Sequence, residues 1–172
     1  MALIKDQKHA LDSWQLFEAK ADAALAEVPG SGDVIVPLAL WRTSREQLVA
    51  RSGRLGVWLE GDDDPAEISA DFDCFGVIAV LFKSFTDGRG YSIGRLLRQR
   101  YQWAGELRAI GDIQRDQLFY LERCGFDAFA LREGEDIEAA LKAFKDFSES
   151  YQTSVERPLP LFRRREAFVE SP

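Results

Sequence analysis

Between residues 33 and 147 the chain repeats one order five times: a short apolar run, a polar loop, then a stretch whose apolar positions recur at helical spacing. Nothing else in the sequence narrows the fold as much. Parallel neighbouring strands need a long crossover, and such crossovers are right-handed, so five strand–helix units predict a mainly parallel sheet covered by helices. The apolar runs occupy residues 33–41, 55–59, 77–82, 107–110 and 126–131, and their unbroken apolar character suits strands buried on both faces. Pro37 shifts the first of them towards an edge.

The intervening stretches carry helix signals. Residues 43–47, TSREQ, have capping-box spacing and lead towards Gly53, and Asp64 stands as a cap before Pro65 with Glu67 closing the box. Ile93, Leu96, Leu97 and Tyr101 share one helical face. A helix from Ile113 buries Leu118, Leu121 and Cys124 and stops at Gly125, while Ile137, Ala140, Leu141, Phe144 and Phe147 give the last helix its period. Two α/β architectures fit: an open doubly wound sheet, or an incomplete (β/α)-barrel, the full barrel needing eight units and about 250 residues. At 172 residues and 46% hydrophobic, the chain has the apolar mass of one domain. Its expected extent is 1–151, with 33–151 as the repeats. Residues 1–32 form a lead-in, a hairpin turning at Asp6, Gln7 and Lys8 and a helix over 15–28 ended by Pro29-Gly30. Residues 152–172 are a basic, proline-containing tail. An incomplete barrel leaves open edges, which invite a homodimer.

The charge balance excludes some partners. A net charge of −7 and a pI near 4.9 repel nucleic acid and anionic membrane surfaces. Arg95, Arg98, Arg100, Arg108 and Arg115 are interleaved with Glu106, Asp112, Asp116 and Glu122, which reads as a solvated ion-pair face. Cys74 and Cys124 stand fifty positions apart and His9 is the single histidine. That set supplies neither a metal site nor a dithiol, so no metal and no cofactor are assigned, and both cysteines are expected to be buried. No apolar run is long enough to span a bilayer and no leader pattern opens the chain, so the expected location is cytoplasmic. Trp103 with Tyr101 is the aromatic pair expected at a protein interface.

In parallel α/β folds, chemistry sits at the carboxyl ends of the strands. The densest loop there is FTDGRGYS, residues 85–92. Gly88 and Gly90 give the backbone freedom to present N–H groups, Ser92 can cap the following helix, and Lys83, Arg89 and Arg132 add positive charge, which together suit a small oxyanion such as phosphate, sulfate or sulfite. The spacing Gly88-x-Gly90-x-x-x-Gly94 departs from the dinucleotide fingerprint. A plainer reading stays open, in which the glycines make a turn, Asp87 holds the backbone and Arg89 pairs with a nearby carboxylate. Asp112, after Gly111, is either an N-cap or a general base facing that loop. If the protein is an enzyme, its acid–base candidates are Lys83, Asp87, Tyr91 and Asp112.

The combined run FTDGRGYS, GELRAIGD and DQLFYLERCGFDAF, within residues 85–131, closely resembles the bacterial family catalogued as domain of unknown function 934, with looser likeness in LGVWLEGDDDP and DFSESYQ. Members are often labelled as an oxidoreductase involved in sulfite reduction, because their genes tend to lie beside those for assimilatory sulfite reductase and phosphoadenylylsulfate reductase. The resemblance therefore implies an accessory of sulfate and sulfite reduction with one of those reductases as partner. It brings no catalytic residues. Two alternatives stand beside it: a small oxidoreductase or barrel-like lyase or isomerase acting on an anionic substrate, and a dimeric scaffold whose central motif is structural.

Overall fold

The computed structural model describes residues 2–18, 25–146, 151–155 and 157–164. Six residues of the helix expected over 15–28, those at 19–24, lie outside this set, as do Phe147 and the tail from 165 onward. The chain begins with a hairpin of β1 (Ala2–Lys5) and β2 (Lys8–Ala10). Asp6 and Gln7 form its two-residue turn with φ of 50° and 57°, the left-handed pair that matches the twist of the flanking strands. Next come β3 (Gln15–Leu16) and a short 3-10 helix at Leu25–Glu27, so the expected helix does not start at Gln15.

The region expected to hold five strand–helix units follows, and it does not give five α-helices. It contains β4 (Val34–Pro37) with α1 (Leu38–Val49), β5 (Leu55–Leu59) with a 3-10 helix at Pro65–Cys74, and β6 (Phe75–Phe82) with α2 (Arg89–Gln99). Then β7 (Glu106–Gly111) leads through a 3-10 turn at Arg115–Gln117 into α3 (Leu118–Arg123), and β8 (Ala128–Leu131) precedes α4 (Ile137–Ala143).

The first apolar run divides between two elements. Its strand ends at Pro37, which acts as the N-cap of α1, and Leu38, Leu40 and Trp41 are buried from the helix instead. A continuous apolar run fits a buried strand and a buried helix equally well, so periodicity alone does not separate them. The capping-box signal at 43–47 survives as a kink, with Ser44 at φ −135° inside the helix. In the second unit Asp64 caps as expected, accepting from the Ala66 N–H at 2.9 Å, but Glu67 turns away to Arg42 and the element stays a 3-10 helix.

All eight strands join one open, curled sheet in the order β2-β1-β8-β7-β6-β5-β4-β3. From β3 to β8 the pairing is parallel and strictly sequential, and β1 closes antiparallel on β8, so the sheet is mixed. This order rules out the doubly wound alternative. A doubly wound sheet must reverse direction at a switch point, whereas a sequence of right-handed crossovers stepping one way puts every helix on one face. One apolar cluster accordingly unites Val36, Val57, Ile78, Val80, Phe82 and Leu107 with the helix residues Leu48, Ile93, Leu97 and Leu121. The other face, built on Ile35, Val77, Ala79, Ile110, Ala128 and Ala130, is partly closed by Trp14, Leu16 and Trp58. The molecule is a single-domain half-barrel, and no described helix is long and apolar enough to cross a membrane.

Two arginines expected on a solvated face are structural. Arg108 is 3% exposed on the open face of β7, bridging Glu106 at 2.7 Å and Asp12 at 2.9 Å. Arg98 donates to the carbonyls of Trp103, Gly105 and Gly125 and pairs with Asp127 at 2.6 Å, tying α2 to the turns beneath it. Trp103 is buried against Phe72, not presented at a surface, and Cys74 is half-buried whereas Cys124 is buried.

Candidate functional site

The carboxyl ends of β5, β6, β7 and β8 place Glu60, Lys83, Asp112 and Arg132 along one rim, with the 83–88 loop between β6 and α2 at its centre. The loop is held from both sides. Asp87 N–H donates to Ser84 O at 3.0 Å, Phe85 N–H donates to Asp112 Oδ2 at 3.2 Å, and Gln117 Nε2 donates to Phe85 O at 3.3 Å. Asp112 thus faces the loop, reached through Gly111 at φ +94°, a conformation that suits glycine.

Within the loop the two glycines do not take left-handed conformations. Gly88 is the N-cap of α2 at φ −83° with no side-chain cap, and Ser92 is an exposed residue inside α2, so it does not cap the helix. The requirement at Gly90 is close approach: a Cβ there would sit 2.6 Å from Phe82 Cζ. Gly61 has the same role across the rim, where a Cβ would lie 2.9 Å from Arg89 Nε.

The centre of the loop is occupied by its own carboxylate. Asp87 Oδ1 accepts from the Arg89 backbone N–H at 3.1 Å and from Nε at 2.9 Å, and Oδ2 accepts from Nη2 at 2.7 Å. Arg89 Nη1 reaches Asp62 on the β5 loop. The Arg89 guanidinium and N–H pull the Asp87 carboxyl from 3.8 down to about 2, and the two carboxylates push Arg89 further up. The plainer of the two readings of this loop matches the geometry: the anion at the start of α2 is a side chain of the protein.

The other charges of the rim are also engaged. Lys83 Nζ meets Glu60 Oε2 at 2.5 Å, Arg42 meets Glu67 at 2.6 Å and Asp63 at 3.1 Å, and Arg132 lies 2.5 Å from Asp112 Oδ1 as a charge contact without hydrogen-bond alignment. Six carboxylates against four cations leave the rim net negative. Tyr91 is half-buried between the rings of Phe82 and Tyr120, its hydroxyl accepts from Gln117 Nε2 at 3.0 Å, and burial pushes its ionisation up. Of the predicted residues, Lys83, Asp87, Gly88, Arg89, Asp112 and Arg132 share the rim, Gly90 and Tyr91 enter the helix packing behind it, and Ser92 points to solvent.

Sequence reasoning missed Gln117, the buried amide that links Tyr91 to the loop carbonyl. Its signal is present as the capping-box spacing from Gln114, whose backbone N–H donates to Gln117 Oε1 at 2.8 Å. Among the described residues, no group of three His, Cys, Asp or Glu side chains is placed to hold a metal ion.

No curated protein and no solved structure matches the chain. A family model described as "Bacterial protein of unknown function (DUF934)" matches residues 56–162, from within β5 through the rim, α2, α3 and α4. The match covers more than half of the chain and includes the whole charged loop, and the chain belongs to this bacterial DUF934 family.

Proposed function

We propose that the protein is a cytoplasmic, non-catalytic accessory of assimilatory sulfite reduction that meets sulfite reductase or phosphoadenylylsulfate reductase through a preformed surface. The link to that reduction comes from the family resemblance. The observation that favours an accessory over an enzyme is the closure of the rim, in which Lys83, Arg89 and Arg132 each rest against a carboxylate. Asp87, with its carboxyl near 2, is ionised and paired at neutral pH and is a weak proton acceptor. Tyr91, pushed up by burial, is a weak acid there. The expected result is co-purification with sulfite reductase and a loss of siroheme or flavin loading in that enzyme when the gene is deleted. Normal growth on sulfate with normal reductase activity in the deletion strain overturns the proposal.

A second reading keeps a small oxyanion at Gly88, Arg89, Gly90, Ser92 and Arg132. The convergence of one backbone N–H and a guanidinium on a single carboxylate favours it, since those donors also suit sulfite. The anion must then displace Asp87. Asp87→Gly should create sulfate or sulfite binding if the donors stay in place, and no gain of binding in that variant rejects this reading.

A further inference from the structure

The periodicity of α2 predicts that Leu96 joins Ile93 and Leu97 on the buried face. It does not. Ile93 and Leu97 are buried, while Leu96, at the flank of that face, is 38% exposed. Ser92, Arg95, Leu96, Gln99 and Arg100, at i, i+3, i+4, i+7 and i+8, line a shallow open groove of about 410 Å³ along the outer surface of α2. Tyr120 on the neighbouring α3 is 52% exposed, its ring tilted against that of Tyr91 with centroids 5.1 Å apart.

Many basic residues are drawn into ion pairs: Arg42, Arg45, Arg54, Lys83, Arg108 and Arg132 all touch carboxylates, while Arg51 and Arg123 donate to backbone carbonyls. On α2 itself Arg89 is bound to Asp62 and Asp87, and Arg98 to Asp127. Arg95 instead donates to the neutral amide of Gln99 at 2.8 Å, and the Arg100 guanidinium lies over the Tyr101 ring at 5.6 Å. Neither is in an ion pair among the described residues. The sequence from 89 to 103 contains no Asp or Glu, so nothing local on the helix supplies the missing charge. A chain of net charge −7 therefore carries one face with an apolar centre and two guanidinium groups that stand outside any ion pair among the described residues.

We infer that this face of α2 docks an acidic segment of a partner protein that carries one apolar anchor residue, the anchor resting on Leu96 and its carboxylates on Arg95 and Arg100. Guanidinium groups bind carboxylates in a fork, and the two flank the apolar centre, so charge and shape ask for the same ligand. Nucleic acid is a poorer fit, because its binding rests on about 6–10 phosphate contacts. An anionic membrane is poorer too, since it calls for clusters of about 4–8 basic residues. A footprint of one helix face makes the contact weak and salt-dependent. The inference rests on the accessory reading for the partner's identity and on α2 alone for its chemistry.

The test has two arms with the full chain. In the first, a labelled twelve-residue peptide of Asp and Glu with one central Phe is titrated against the wild type and against Arg95→Glu with Arg100→Glu, both checked for equal melting temperature. The inference expects binding that weakens with salt, falls about tenfold or more in the double variant, and weakens when the Phe is replaced by Ser. Absent peptide binding, or binding equal in wild type and double variant, overturns it. Tighter binding of 1:1 phosphatidylglycerol and phosphatidylcholine vesicles than of the peptide, lost in the double variant, also overturns it. In the second arm, purified sulfite reductase and phosphoadenylylsulfate reductase replace the peptide. A reductase that binds the double variant as well as the wild type overturns the docking face while leaving the accessory reading standing. Peptide binding without binding of either reductase overturns the accessory reading and supports the face.

Discussion

At Gly94, one methyl group separates a packed helix from a clash. A Cβ there would stand 2.4 Å from Phe126 Cε2, and Phe126 is 1% exposed with its ring set edge-on against Phe82. Overpacking of this kind costs about 1–3 kcal/mol, which outweighs the gain of about 1 kcal/mol from removing a helix glycine. Gly94→Ala should therefore lower the urea midpoint by a net loss of about 1 kcal/mol, and an unchanged or raised midpoint refutes the close approach. Asp87 makes a pH prediction with a definite sign. Its folded carboxyl titrates near 2 against an ordinary 3.8, so its stabilising share is complete above the ordinary value and is lost as pH falls through the folded one. Asp87→Asn should flatten the acid slope of stability across that window relative to the wild type, and identical slopes reject the assignment. The pairing of Arg89 with a carboxylate was readable from the sequence because TDGRG puts Asp87 two residues before Arg89 and GDDD supplies further carboxylates at a neighbouring strand end. Ser92 was not, because a helix that begins at Arg89 with Gly88 as its cap leaves no boundary for Ser92 to mark.

At the scale of elements, the sequence was most legible where backbone chemistry is local. The hairpin at Asp6-Gln7, the Asp64 cap and the terminator at Gly125, with φ +103°, are all where turn and cap chemistry put them. Gln7 sits at φ 57° without being glycine, which costs about 1–2 kcal/mol for an L residue. Gln7→Gly should relieve part of that and raise the melting temperature of the whole domain, because β1 is hydrogen-bonded to β8 and belongs to the same sheet. A lower melting temperature contradicts this account of the turn. Less legible were the elements whose identity depends on what covers them. Residues 38–41 read as strand because apolar runs carry no period, and Leu96 read as core because i, i+3, i+4 spacing marks a face without saying how wide the buried part is.

For the whole molecule, the sequence carried the class of fold but left open which way the sheet winds. Strand order depends on where each crossover lands, and both an open doubly wound sheet and an incomplete barrel start from the same strand–helix repeats. The observed sequential order gathers the strand ends into one rim, and there the consequence is electrostatic: each cation at the ends of β5, β6, β7 and β8 meets a carboxylate, and the rim stays net negative. The 83–88 loop with Arg89 at the start of α2 is then a self-closed junction that holds the rim together, and the face we infer for a partner lies on the outside of α2. The most direct test of this claim is a thermal-shift titration of the wild type with sulfite and sulfate at constant ionic strength, since a ligand that binds only the folded state raises its stability. With Asp87 seated on Arg89, the melting temperature should stay constant from micromolar to millimolar anion. A concentration-dependent rise that disappears in Arg89→Ala would contradict the self-closed rim.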